Sequence, residues 1–154
     1  MARRSRAREV ALQLLYQADQ NAVPVPRKAV ERFARDRLTD PDLVAFALAL
    51  VDGVTAHKKE IDAVIVGTAE NWRLSRMLPS DRNVLRLGTY ELLHAPDPSP
   101  PAVVIDEAIE LARRYGTADS SGFVNGILDK IARGRSEERG ARSEKKTEEE
   151  APRG

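Results

Sequence analysis

Apolar residues recur at helical spacing in almost every segment of this chain, and nowhere do they alternate as a half-buried strand requires. From Ser5 to about Asn21, the positions Ala7, Val10, Ala11, Leu14, Leu15 and Ala18 follow the i, i+3, i+4, i+7 rule of an amphipathic helix. Val23-Pro24-Val25-Pro26 reads as a linker, and Pro26 opens a short helix through Leu38 with Val30 and Phe33 inward. Thr39-Asp40-Pro41 is a helix start, a capping side chain followed by a proline whose missing N–H is tolerated in a first turn. The helix from Pro41 is apolar to Val54. It either breaks at Lys58-Lys59 or runs on through Ile61, Val64 and Ile65. Ser80-Asp81 caps the next helix, which ends near His94, and Ala95-Pro96-Asp97-Pro98-Ser99-Pro100 is a rigid linker. From Pro100 to Ile131, two helices share an apolar seam built on Val104, Ala108, Leu111 and Ala112, then on Val124, Ile127, Leu128 and Ile131. Gly116 stops the first as a C′ glycine, and Asp119-Ser120-Ser121 suits the N-cap of the second. Beyond Arg133 the chain is charged and lacks core residues, so 1–132 is expected to form the helical domain and 133–154 a disordered tail. The fold class is all-α, with about six or seven helices.

Composition narrows the function. At 154 residues the chain is one domain, or two small subdomains sharing a core. It has no cysteine, and its only histidines, His57 and His94, lie far apart in sequence, so no metal site is expected. No apolar run approaches the roughly 20 residues of a membrane span, and no signal-peptide core opens the chain, which implies a cytoplasmic protein without membrane contact. There is no glycine-rich phosphate loop and no G-x-S-x-G. The close carboxylates Asp106, Glu107 and Glu110 fall opposite the apolar stripe, beside Arg113 and Arg114, and read as a solvated face. Neither catalysis nor a cofactor is expected.

The net charge is only +1, but Arg3, Arg4, Arg6 and Arg8 crowd the first eight residues with no acid among them. An arginine cluster on a mildly acidic body points to a localised anion site. On a helical wheel Arg4, Arg8, Leu12 and Tyr16 form one i, i+4 row, which brings cationic forks near an accessible ring, the pairing single-stranded nucleic acid uses. The plainer alternative is a solubilising terminus with Tyr16 packed on a neighbouring helix. On the helix after Ser80, Val84, Leu85, Gly88 and Leu92 face inward while Arg82, Arg86 and Tyr90 line another side. Leu87 and Leu93 make that helix apolar on several sides, so it is either central to the bundle or half of an interface, including one between two copies of the chain. Phe123 lies at the edge of the last apolar face, as a core-edge residue or a base-stacking one. Asn125-Gly126 inside a helix costs about 1 kcal/mol for the glycine and calls for a close approach. Trp72, in Asn71-Trp72-Arg73, reads as a core anchor.

Several blocks together closely resemble the bacterial transcription antitermination factor family NusB. They are Arg8-Glu9 with Ala11-Leu12-Gln13-Leu14-Leu15-Tyr16, Asp81-Arg82-Asn83-Val84-Leu85-Arg86-Leu87 with Tyr90-Glu91-Leu92, Ile105 to Ala112, and Phe123-Val124-Asn125-Gly126-Ile127-Leu128-Asp129-Lys130. The resemblance implies seven helices in two three-helix subdomains and no catalysis. It implies binding of boxA RNA in ribosomal RNA transcripts together with NusE, a small-subunit ribosomal protein, within an RNA polymerase antitermination complex. Carried over by position, Arg3, Arg4, Arg6, Arg8 and Tyr16 match the family's RNA-contacting first helix, and Asp119, Ser120 and Phe123 its contact region at the last helix. Asp81, Arg82, Arg86, Tyr90 and Glu91 match the helix where RNA and NusE meet; Arg82 and Arg86 are assigned to RNA, and Asp81, Tyr90 and Glu91 to NusE. Ser5 stands where the family usually carries another basic residue, which implies weaker RNA affinity.

Overall fold

The computed structural model describes the backbone of residues 2–150 and the side chains of residues 3–138. Seven α-helices and one 3-10 turn, Leu74–Arg76, make up the described residues, with no strand among them. The helices are α1 (Ala2–Gln20), α2 (Arg27–Arg37), α3 (Pro41–Ala56), α4 (Lys58–Thr68), α5 (Pro79–Leu93), α6 (Pro101–Tyr115) and α7 (Ser120–Glu150).

Helix α1 is apolar on two sides and serves two cores. Ala7, Val10 and Leu14 pack with Ala34 and Leu38 of the α2 region and Ala47 of α3. Ala11, Leu12 and Leu15 join the larger core, built from α3 to α7. Eleven of the fifteen residues of α5 are buried, which makes it the central helix. Leu87 is sealed inside and Leu93 is half-buried against the same core, so they offer no surface for self-association. Gly88 allows the α5–α7 crossing, because a Cβ there would stand 2.8 Å from Leu128 Cδ1.

Local signals act at α3 as expected: the Asp40 carboxylate accepts the Asp42 N–H at 2.8 Å, with Pro41 at the first helical position. The open question after Val54 resolves as a break at His57, which ends α3 and starts α4. Elsewhere the chain departs from expectation. Helix α5 starts at Pro79 after Leu78, with no side-chain cap, so Ser80 and Asp81 lie within its first turn. Gly116 follows α6 in an extended conformation (φ −101°, ψ −158°), not a left-handed one. Glycine is required there because a Cβ would meet Ser120 Oγ at 2.3 Å. A Cβ at Gly126 would meet open space, so no close approach explains that residue. From Arg133 the backbone continues α7 to Glu150. Residues 151–154 lie outside the described residues.

The two histidines, distant in sequence, are neighbours here. Their rings stack with centroids 4.3 Å apart, and the Tyr90 ring lies beside both. Burial, then the nearby His57, holds the His94 imidazole below its ordinary pKa, partly opposed by Glu60. Tyr90 reaches this position by crossing Gly53, where a Cβ would come within 2.1 Å of the Tyr90 ring. Because that ring is held between α3 and the two histidines, it cannot swing aside. Gly53→Ala is therefore expected to destabilise the fold by about 1–3 kcal/mol in urea unfolding, despite alanine's better helix propensity.

Candidate nucleic-acid interface

An i, i+4 row advances about 400°, so each step drifts about 40° around the helix. Over Arg4, Arg8, Leu12 and Tyr16 the drift totals about 120°, and the row passes from one environment into another. Arg4 is exposed, Arg8 and Leu12 are buried, and Tyr16 emerges 43% exposed. The four do not form one surface stripe.

Arg8 is 2% exposed and belongs to the interior. Its Nε and Nη2 donate to the Glu91 carboxylate at 2.9 and 2.8 Å, Nη2 also donates to Ser99 Oγ at 3.1 Å, and Glu107 lies 3.9 Å from Nη1. With its fork filled by a carboxylate, Arg8 is not a phosphate ligand, and Glu91 is not a partner-facing acid. Arg82 and Arg86 are corrected likewise. Arg82 donates to Asp19 Oδ2 at 3.0 and 2.6 Å and to the Leu74 carbonyl at 3.0 Å. Arg86 holds Asp62 bidentately at 2.8 and 3.1 Å and reaches Asp19 Oδ1 at 3.3 Å. Burial alone would raise the Asp19 pKa, but hydrogen bonds from Arg82 and Asn83 and the charges of Arg82 and Arg86 outweigh it and lower the value.

The remaining assignments on α5 and at the hinge also divide by burial. Tyr90 is 7% exposed in the core, and Asp81 is buried with Oδ1 lacking a hydrogen-bond partner. Burial raises the Asp81 pKa, partly offset by the Ser120 hydroxyl. Asp81, Tyr90 and Glu91 thus present nothing to NusE. Ser120 is buried too, its Oγ accepting the Thr117 N–H at 2.9 Å, so its side chain is turned to the hinge between α6 and α7. Asp119, one residue earlier, is exposed.

The surface keeps Arg3, Arg4 and Arg6. Arg3 pairs with Asp40, Arg6 pairs with Glu9 at 2.7 Å, and the Arg4 guanidinium lies 4.5 Å over the Phe46 ring. Exposed pairs of this kind contribute about 0–1 kcal/mol, so a phosphate can displace them. Ser5 donates to Glu107 at 2.5 Å. Tyr16 lines a cleft of about 750 Å³ with Gln13, Phe33, Arg37, Leu78 and Thr117. The cleft reaches the α6–α7 hinge. One turn beyond it Phe123 is half-buried, its ring edge-on to Trp72 at 5.3 Å. Trp72 is 55% exposed and so is no core anchor. Its polar neighbours, Asn71 and Arg73, were the available sign of that.

Comparison with known proteins bears on the family and the fold. The NusB family profile matches residues 5–133. The chain is 46% identical to the transcription antitermination protein NusB of Sorangium cellulosum, over 86% of this chain and 93% of the relative. It is 47% identical to that of Anaeromyxobacter sp. strain Fw109-5, over 89% and 94%. Among solved structures, T. maritima NusB superposes with a TM-score of 0.72 at 41% identity, covering 84% of this chain and 90% of that one. NusB from a crystal structure of the antitermination factors NusB and NusE with double-stranded RNA gives 0.77 at 28% identity, covering 87% and 98%.

Two outcomes follow for stability. Arg8→Ala leaves Glu91 buried and unpaired and is expected to cost about 3–5 kcal/mol in urea unfolding, whereas Arg4→Ala should stay within about 0.5 kcal/mol. Asp81→Asn tests the opposite sign. A carboxyl whose folded pKa lies above its unfolded value is favoured below the unfolded pKa, and that stability is lost as pH rises through the folded one. The variant should therefore be more stable than wild type at neutral pH, with the gap closing as pH falls toward 3.8.

Proposed function

The chain belongs to the NusB family, and on that premise we propose that it is a transcription antitermination factor that binds boxA RNA of ribosomal RNA transcripts together with NusE, with no catalysis of its own. It would act in the bacterial cytoplasm as part of an RNA polymerase antitermination complex. One observation carries the reading: the arginines left on the surface, Arg3, Arg4 and Arg6, share α1 with the half-exposed Tyr16, whose cleft leads to the hinge.

In this reading the three guanidinium groups neutralise phosphates, Tyr16 supplies a flat face in the cleft, and Asp119 accepts hydrogen bonds from a base edge or 2′-hydroxyl. Phe123, extended by Trp72, offers a second stacking platform. The buried Arg8, Arg86 and Glu91 and the half-buried, fully paired Arg82 act only by fixing where these groups stand. NusE would dock on exposed parts of the C-terminal half, where a second weak RNA contact raises apparent affinity by proximity.

The test is a binding titration with boxA RNA across salt, with and without NusE, alongside a duplex of the same sequence. Changing Arg3, Arg4 and Arg6 together to Ala should weaken binding to all RNAs and flatten the log–log salt slope by about 2, at about 0.7 per phosphate contact on a single strand. Tyr16→Ala or Phe123→Ala should each cost about 1–3 kcal/mol of RNA affinity, with the slope unchanged. A protein scaffold without an RNA site would show neither effect.

A further inference from the structure

The turn between α4 and α5 carries cationic groups that the RNA reading leaves unused. In the stretch 70–78, Arg73 and Arg76 are accompanied by a single acid, Glu70. Both arginines are exposed, and their guanidinium groups hold no hydrogen bond or ion pair among the described residues. On α1, by contrast, Arg3 and Arg6 each hold a carboxylate.

The turn keeps these cations in place. Leu74–Arg76 is a 3-10 turn, in which side chains three residues apart eclipse. Leu74 and Met77 therefore turn together onto the main core, Met77 buried and Leu74 half-buried. Arg73 and Arg76 leave together on another side, about 6 Å apart along the axis at about 2.0 Å per residue. Arg82 clamps the turn, donating to the carbonyls of Leu74 at 3.0 Å and Met77 at 3.4 Å. The backbone that presents the two free cations is thus fixed before any ligand arrives, which spares part of the ordering cost of binding.

The ends of the segment reach both aromatic stations. Trp72, 55% exposed, meets the Phe123 ring at 63° with centroids 5.3 Å apart. The rings are not stacked on each other, so the exposed one keeps area for a base. Leu78 lies 44% exposed at the other end and lines the cleft beside Tyr16. Free guanidinium forks between two ring-bearing sites fit a single strand, which alternates phosphates with bases.

We propose that the turn from Trp72 to Leu78 is a further contact for single-stranded RNA, with Arg73 and Arg76 on phosphates and Trp72 stacked on a base. The inference rests on the RNA reading and adds to it a track that carries the strand from the Phe123 platform to the Tyr16 cleft.

Trp72 is the only tryptophan, so its fluorescence reports this site alone. Single-stranded boxA RNA should quench it on titration, and NusE alone should not. Arg73→Ala/Arg76→Ala should melt as the wild type, bind all RNAs more weakly and flatten the log–log salt slope by about 1.4, at about 0.7 per phosphate contact. Trp72→Ala should lower RNA affinity about five- to 150-fold with the slope unchanged, and Trp72→Phe should restore most of it. Wild-type affinity and slope in the arginine double variant, or unchanged emission at saturating RNA, would overturn the proposal. Loss of NusE binding with RNA affinity intact would make the turn a protein contact and overturn it too. In these cases the Arg3, Arg4 and Arg6 triple variant still loses RNA affinity and the antitermination reading stands, whereas a wild type that binds no RNA removes both.

Discussion

Two charge clusters, one buried and one half-buried, set the register of α1 against α5. Near one end Arg8 locks Glu91; near the other Asp19 receives Arg82, Asn83 and Arg86. The order is reversed between the helices, so they run antiparallel. The separations match: eleven residues along α1 span about 16 Å and nine along α5 about 14 Å. Hydrophobic contact between two helices is non-directional and tolerates a slip of one turn. A bidentate guanidinium–carboxylate pair does not, because a shift of about 5.4 Å would strand buried charges at both ends together. Apolar burial holds these helices together, and the ion pairs decide where along each other they sit.

The lock reaches further than α5. Arg8 also donates to Ser99 in the linker and lies near Glu107 on α6, so one side chain aligns the start of α1 with the entry to α6. Arg114, near the other end of α6, pairs with Glu9, and Tyr115 donates to the same carboxylate at 3.0 Å. Two levels of helix α6, at Glu107 and at Arg114–Tyr115, are thereby tied to one turn of α1, which carries the α6–α7 hinge to the cleft beside Tyr16. The surface geometry that the RNA reading needs is inherited from ion pairs set mostly beneath that surface, with Arg8–Glu91 the most deeply buried.

This explains which features could be read from the sequence and which could not. The helices were legible because burial imposes a 3.6-residue period on the residues that make them. The seam of Val104, Ala108 and Leu111 with Val124, Ile127 and Ile131 is buried as its spacing implied. The fates of the arginines were not legible. A wheel places Arg8 beside Arg4, but only the fold brings up Glu91, 83 residues away, to draw one guanidinium inside and leave the other out. The same blindness to distant partners put His57 and His94 in unrelated settings. Trp72 erred in the other direction: apolarity favours the core, but its segment is a short turn outside the helical period, where the chain cannot carry so large a ring inward. Gly126, which meets nothing, has no explanation in the packing.

A binding surface gains most from groups already held in place, since ordering them on contact subtracts from affinity. The two aromatic stations here differ in that respect. Tyr16 rises from a helix whose neighbouring turn is locked through Asp19, and its cleft is walled by α2, α5 and the hinge. Phe123 sits one turn into α7, supported beneath by the main core and flanked by the Trp72 ring. Arg3, Arg4 and Arg6, by contrast, are long side chains in weak, exposed pairs on the first turns of α1. Rigid rings with mobile charges suit a ligand whose phosphates attract at a distance and whose bases must then find fixed planes. In the proposed reading, charge would govern the approach of such a ligand, and its final register on the protein would be set by the rings, hence by the ion pairs behind them.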